Sequence, residues 1–206
     1  MDVRGLGALQ LDALREVANI GAGHAATALS SLTNRRIGVD VPEIRVLRLE
    51  DVATLMGDPG ELVAAVLMQV VGDVTGRTIQ AFSGDSASRL AGILLNRDPV
   101  PFPDGFGDLE QSALKEVGNI LVGAYLNALS DFLGMMCLMS VPSLALDMAG
   151  AVFTSGYLNF GEENDHVFCI DTSFHLNDGG GMLRGHFMLL PDAASLEVIL
   201  RAMGLS

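Results

Sequence analysis

Shifted by one hundred residues, the sequence falls onto itself. Leu9, Ala13, Leu14, Glu16, Val17, Asn19, Ile20, Gly23, Ala28, Leu29, Ser30, Val41 and Pro42 recur as Leu109, Ala113, Leu114, Glu116, Val117, Asn119, Ile120, Gly123, Ala128, Leu129, Ser130, Val141 and Pro142. That is 13 identities over the 34 positions 9–42, without a gap. Shared composition accounts for matched Ala and Leu; it does not place Glu, Asn, Gly and Pro in one register. A unit written twice restricts the fold to an architecture that two similar pieces can build together.

The later part of each half repeats more loosely. Residues 62–71, a turn at 72–76 and residues 77–82 read as a β-hairpin, followed by a helix over 86–95. Residues 165–176, a glycine-rich turn at 177–181 and residues 182–190 repeat that plan, with a helix over 192–203. Asp85-Ser86 and Asp192 are the expected helix N-caps. Between the halves, Pro99, Pro101 and Pro103 interrupt any regular element. The expected organisation is one domain over 1–206, with repeat 1 at about 8–96, a linker at 97–107 and repeat 2 at about 108–206. The fold class expected is α/β (α+β): two pseudo-symmetric repeats sharing a core, each with a long exposed amphipathic helix.

Composition narrows the function. Half of the 206 residues are hydrophobic and 18% are charged, which excludes a disordered chain. The longest apolar stretch, 62–68, is far short of the roughly 20 residues that cross a bilayer, so no membrane insertion is expected. Net charge is −13, and no basic run exceeds Arg35-Arg36, so nucleic acid is not an expected partner. A lysine or small basic patch on another protein suits this field better. The N-terminus lacks signal-peptide features, and Cys137 and Cys169 sit in apolar sequence, so a reducing cytoplasm with buried thiols is expected.

Residues 9–33 and 109–133 have helical periodicity, with Leu11, Leu14, Ala18, Gly21, Ala25, Leu29 and Leu32 along one side of the first. Leu114, Gly118, Leu121, Val122, Tyr125, Leu129 and Phe132 form the corresponding stripe of the second. At 100° per residue, Asp12, Glu16, Asn19 and Gly23 cluster within about 60° on the opposite side. Ser112, Glu116, Asn119 and Gly123 do the same. Any amphipathic helix has a polar side, yet Asn is a poor interior helix residue, and a solvated position accepts Lys or Gln equally well. Finding Glu and Asn at i and i+3 twice marks a required pair. Glu is a pure acceptor that seeks a cation, and an Asn amide can hold a water in line. This suits hydrolysis of an already labile bond such as an acyl phosphate, where positioning dominates. Gly23 and Gly123 allow another surface to approach closely.

The pattern [Asp/Ser]-x3-Glu-x2-Asn-x22-Pro, read as Asp12, Glu16, Asn19, Pro42 and again as Ser112, Glu116, Asn119, Pro142, resembles the signature of the CheC/CheX/FliY family of bacterial chemotaxis phosphatases. The segment 19–30 looks like the CheC branch in particular, the segment Gly185–Pro191 is similar, less specifically, to the family, and the resemblance covers essentially the whole chain. It implies a phosphatase acting on the phosphorylated response regulator CheY. Glu16 and Glu116 would pair with a regulator lysine, and Asn19 and Asn119 would orient the attacking water. Mg²⁺ would belong to the regulator, so the chain would need no cofactor or metal of its own. Asp12, Ser112, Gly23, Gly123, Pro42 and Pro142 would be supporting, the two prolines by setting geometry where a strand begins. CheD, a receptor deamidase, would be a second partner. The alternative is a non-catalytic adaptor binding phosphorylated CheY and CheD; a third reading is a metal-dependent hydrolase.

Other motifs carry less. Gly21-Ala22-Gly23-His24-Ala25-Ala26 matches a dinucleotide-binding fingerprint but lies inside a helical pattern with no strand before it. His24, His166, His175 and His186 show no metal-ligand spacing along the chain. The ten methionines read as core filler.

Overall fold

A computed structural model describes residues 8–41, 43–48, 52, 58–157, 166–176 and 182–202. The first half supplies α1 (Ala8–Thr33), β1 (Ile37–Asp40), β2 (Ile44–Arg48), β3 (Leu62–Gly72), β4 (Gly76–Ser83) and α2 (Gly84–Leu95). The second supplies α3 (Asp108–Leu133), β5 (Cys137–Met139), β6 (Ser143–Met148), α4 (Ala149–Tyr157), β7 (His166–Leu176), β8 (Met182–Pro191) and α5 (Ala193–Ala202). The two repeats expected from the sequence are therefore present, each with a long helix, two short strands, a hairpin and a closing helix; α4 is described in the second half alone. The hairpins and helices fall within about two residues of their expected limits.

The strands form one eight-stranded sheet in the order β1-β7-β8-β4-β3-β5, with β2 also on β7 and β6 also on β3. Every pairing is antiparallel. The halves exchange strands across this sheet. β1 and β2 of the first half lie along β7 of the second, with Val39 opposite Phe174 and Ile44 opposite Ile170. In return, β5 and β6 lie along β3, with Val70 opposite Met139 and Ala64 opposite Leu146. β4 and β8 join at the centre, Gln80 opposite Phe187. A pseudo-two-fold axis perpendicular to the sheet between β4 and β8 relates the halves.

Period-two alternation sends Ala64, Val66, Met68 and Val70 of β3 to one sheet face and Val63, Ala65 and Leu67 to the other. The first face carries α1 and α3. Gly21 permits their close approach: a Cβ there would lie 2.7 Å from Tyr125 Cδ1 and 3.1 Å from the Ala124 carbonyl oxygen. Gly118 does the same toward the sheet, where a Cβ would lie 2.6 Å from Val66 Cγ1. Tyr125 anchors α3 by ring packing on Phe187, 4.9 Å between centroids, and by a 3.1 Å hydrogen bond between its hydroxyl and that of Thr172. Burial pushes its phenol up to about 12, against the smaller lowering from that hydrogen bond. The opposite face is covered in part by α4, whose Ala149, Val152 and Phe153 join Val63, Ala65 and Ile79 in a second apolar cluster.

The buried stripes are broader than periodicity predicts. Val17 and Ala22 are buried beside Leu14, Ala18, Ala25 and Leu29, because α1 touches both the sheet and α3. Leu32 and Phe132, expected inward, are 52% and 44% exposed at the helix ends. Both long helices then stop in the same way, with Asn34 (φ 52°) and Gly134 (φ 65°) in the left-handed conformation. Ser30 and Ser130 secure these chain reversals. The Ser30 hydroxyl accepts the Ile37 N–H at 3.0 Å, and Ser130 donates to the Met135 carbonyl oxygen.

Ser83 caps α2, its hydroxyl accepting the Ser86 N–H at 3.4 Å, which places Asp85 and Ser86 inside the first turn and corrects the expected cap. Asp192 caps α5 as expected, accepting the Ser195 N–H at 2.8 Å, and its other oxygen takes the Thr75 hydroxyl. In the first turn of α3, buried Glu110 accepts the Gly107 N–H at 3.0 Å and pairs with Arg97, tying the inter-repeat segment to the helix it precedes.

Candidate active site

Each long helix has one side committed to packing, so the chemistry it can offer lies on the side left over. On α1, Asp12, Glu16, Asn19 and Gly23 are all exposed. On α3, Ser112 and Glu116 are exposed, while Asn119 and Gly123 are half-buried. No side-chain hydrogen bond or ion pair joins Glu16, Asn19, Glu116 or Asn119 to another of the described residues. An unpaired carboxylate and amide on adjacent turns present one acceptor and one donor–acceptor to whatever docks there. Flat-lying helices related by a two-fold axis perpendicular to the sheet run antiparallel, so the two pairs, each just N-terminal to the middle of its helix, fall on opposite sides of the axis.

The sites differ in their surroundings. A Cβ on Gly23 would meet nothing within 4 Å, whereas one on Gly123 would lie 3.0 Å from Met139 Cε. Val41 is 7% exposed and Val141 87%, so the strand connection beside α3 carries an apolar side chain outward where the first half turns it inward. Pro142 is half-buried between β5 and β6, immediately before β6 begins, where a missing N–H is tolerated. Pro42 lies outside the described residues. His24, the nearest imidazole in sequence, is exposed and angled off the Glu/Asn face.

The far sheet face holds a polar group that sequence spacing did not reveal. Asp171 on β7 and His186 on β8 are cross-strand partners, and Cys169 and Arg45 are partners across β7 and β2. His186 Nδ1 lies 2.8 Å from Asp171 Oδ1, Arg45 pairs with Asp171 Oδ2, and Cys169 Sγ lies 4.0 Å from Asp171 Oδ1. Burial alone would raise the Asp171 carboxyl, but His186 and Arg45 outweigh it and hold it below the ordinary value. Burial, reinforced by Asp171, pushes the Cys169 thiol up to about 12. Cys137 is also buried and unpaired, its thiol raised by burial and by Asp73. Both thiols are thus protonated core groups, in keeping with the sequence reading. Signals for the cluster existed in C-x-D and G-H, but only strand register brings them together.

Among the described residues no helix is long and apolar enough to cross a membrane. The profile of the CheC-like family matches residues 9–45 and 109–145, which are the two Glu/Asn helices and the strands after them. The chain is 35% identical over 198 residues to the CheY-P phosphatase CheC of Bacillus subtilis, covering 96% of this chain and 95% of that one. It is 26% identical over 169 residues to the putative CheY-P phosphatase CheC1 of Halobacterium salinarum, covering 82% and 84%. Among solved structures, Thermotoga maritima FliY superposes with a TM-score of 0.75 at 20% identity, covering 97% of this chain and 98% of that one, which establishes a shared fold.

Proposed function

We propose, since the chain belongs to the CheC-like family, that it hydrolyses the aspartyl phosphate of the chemotaxis response regulator CheY through Glu16/Asn19 and Glu116/Asn119. The observation carrying this reading is that both pairs stand on outward helix faces with no partner among the described residues. Such groups tie together none of the described residues and are available to another protein.

The division of labour follows from the side chains. Glu16 or Glu116 accepts from a lysine at the regulator's active site and fixes its orientation by a charge-assisted hydrogen bond. Asn19 or Asn119 accepts a hydrogen bond from a water and directs its oxygen at phosphorus. The P–O bond to the aspartyl carboxylate breaks as the water oxygen bonds to phosphorus. The aspartate is regenerated as a carboxylate, and inorganic phosphate carries the water-derived oxygen, its surplus proton passing to phosphate or solvent. Asparagine is no base, so its contribution is alignment, which suits an anhydride already activated for transfer. Mg²⁺ is supplied on the regulator. Asp12, Ser112, Gly23, Gly123 and Pro142 support the docking surface, and Pro42 has the same role by its motif position. Binding of CheD and a cytoplasmic location belong to the same proposal, and retention of the chain by immobilised CheD tests the former.

The deciding experiment follows loss of phosphate from phosphorylated CheY with wild-type protein and with Asn19→Ala plus Asn119→Ala. The double variant is expected to lose at least about a hundredfold in rate, with a melting temperature no lower than that of wild type, because neither amide has a partner among the described residues and Ala is the better helix former. A double variant as active as wild type would overturn the water-positioning role. Retained binding with no turnover by wild-type protein would favour the adaptor reading instead.

A further inference from the structure

We infer that Cys169, Asp171 and His186 form a site for one zinc-like divalent cation on the sheet face opposite the Glu/Asn helices. One ligand atom from each residue lies within 4.8 Å of the other two. With metal–ligand bonds of about 2.0–2.3 Å, tetrahedral ligands stand roughly 3.3–3.8 Å apart. The 2.8 Å His186–Asp171 and 4.0 Å Cys169–Asp171 separations bracket that range, and the Cys169–His186 pair lies within 4.8 Å, so side-chain movement of about an ångström makes the site.

The donor set is selective. A thiolate, an imidazole and a carboxylate together suit zinc, whereas magnesium and calcium take oxygen. Arg45 does not compete for the same lone pair: it holds Asp171 Oδ2 and leaves Oδ1 facing Cys169 and His186, the arrangement of an outer partner that orients a ligating carboxylate. Its Nε lies 3.7 Å from Glu43, so the guanidinium charge is balanced from a second side. Asp171 and His186 side chains are 18% and 19% exposed, which provides an entry edge, while Cys169 forms the closed base. Binding displaces the thiol proton to solvent and leaves a fourth position for water.

The pseudo-symmetry shows that the fold does not require these residues. Ile37 pairs with Leu176 and Cys137 with Gly72, which makes Leu67 the counterpart of Asp171, Ile79 of His186, Ala65 of Cys169 and Ala145 of Arg45. The first hairpin fills the same place with apolar packing alone. The second has a ligand set there, spanning β7 and β8, and a cation would clamp those strands independently of the phosphatase chemistry.

The test is titration of metal-free, full-length protein with Co²⁺, then competition by Zn²⁺. One equivalent of Co²⁺ is expected to give a near-ultraviolet thiolate-to-cobalt band and to raise the melting temperature. Cys169→Ser should abolish the band, His186→Ala should weaken binding by at least about tenfold, and Cys137→Ser should leave it intact. Far-ultraviolet circular dichroism of each metal-free variant verifies folding, and His186→Gln replaces any variant that does not fold. Absence of the band in wild-type protein, its survival in Cys169→Ser, or its loss in Cys137→Ser alone would overturn the assignment.

Discussion

Two glycines two residues apart on α1 make opposite predictions. Gly23 has helical backbone and open space where a Cβ would go, so Gly23→Ala should stabilise the fold by about 1 kcal/mol. It should also reduce dephosphorylation of CheY if the surface it fills is the docking surface proposed above. Measured in an Asn119→Ala background, where the first site acts alone, denaturation and turnover should move in opposite directions. Gly21→Ala should instead destabilise, since its Cβ would meet Tyr125 and the backbone of Ala124. A Gly23→Ala protein with undiminished turnover would remove Gly23 from the docking surface. Residue repetition made Glu16, Asn19, Glu116 and Asn119 legible in the sequence, but it marks a constraint without saying which kind. Ser30 and Ser130 repeat as faithfully and close chain reversals. The Cys169, Asp171 and His186 cluster was illegible because it occurs once and depends on a cross-strand register that no spacing rule encodes.

Among the elements, periodicity and glycine-rich turns located the helices and hairpins, while the cap of α2 was misplaced. Ser83, Asp85 and Ser86 are all competent caps, and only backbone geometry selects Ser83. Asp192 was unambiguous and offers a pH test. Burial alone would raise its carboxyl, but the Thr75 hydroxyl and the N–H groups of Ser195 and Ala194 outweigh it and hold it below the ordinary value. A depressed carboxyl contributes stability above its unfolded value, about 3.9, and loses that contribution as pH falls through the lower folded value. The melting-temperature advantage of wild type over Asp192→Asn should therefore be full at neutral pH and shrink below about pH 4. Asp192→Ala should cost about 1 kcal/mol at neutral pH. An advantage that is flat across the acid range would mean that the carboxylate charge is unimportant to the cap.

The whole molecule departs most from what a linear reading offers. Two repeats sharing a core are the expectation from the sequence, and the sharing takes the form of exchange: each unit's short strands complete the other's hairpin. Local pattern cannot choose between partners, because β1 and β5 each have alternation that fits either long hairpin. Residues 1–107 alone should consequently fail to form a folded monomer: their sheet lacks β7 to receive β1 and β2, and β3 lacks β5 and β6. Gel filtration with circular dichroism should find an unfolded chain or a strand-exchanged dimer. A compact monomer with a cooperative melt would show that the exchange is dispensable.

The exchange also fixes when, during synthesis, the first Glu/Asn helix acquires its support. Ile44 is translated 126 residues before its partner Ile170. At about 5–20 residues per second, that separation lasts roughly 6–25 s. Once clear of the ribosome, β1 and β2 spend the rest of that interval with apolar side chains and no β7 edge to receive them. A nascent chain halted before β7 would therefore display a complete Glu16/Asn19 motif on a helix with no platform beneath it, and premature termination would yield a target for chaperones rather than a half-working protein.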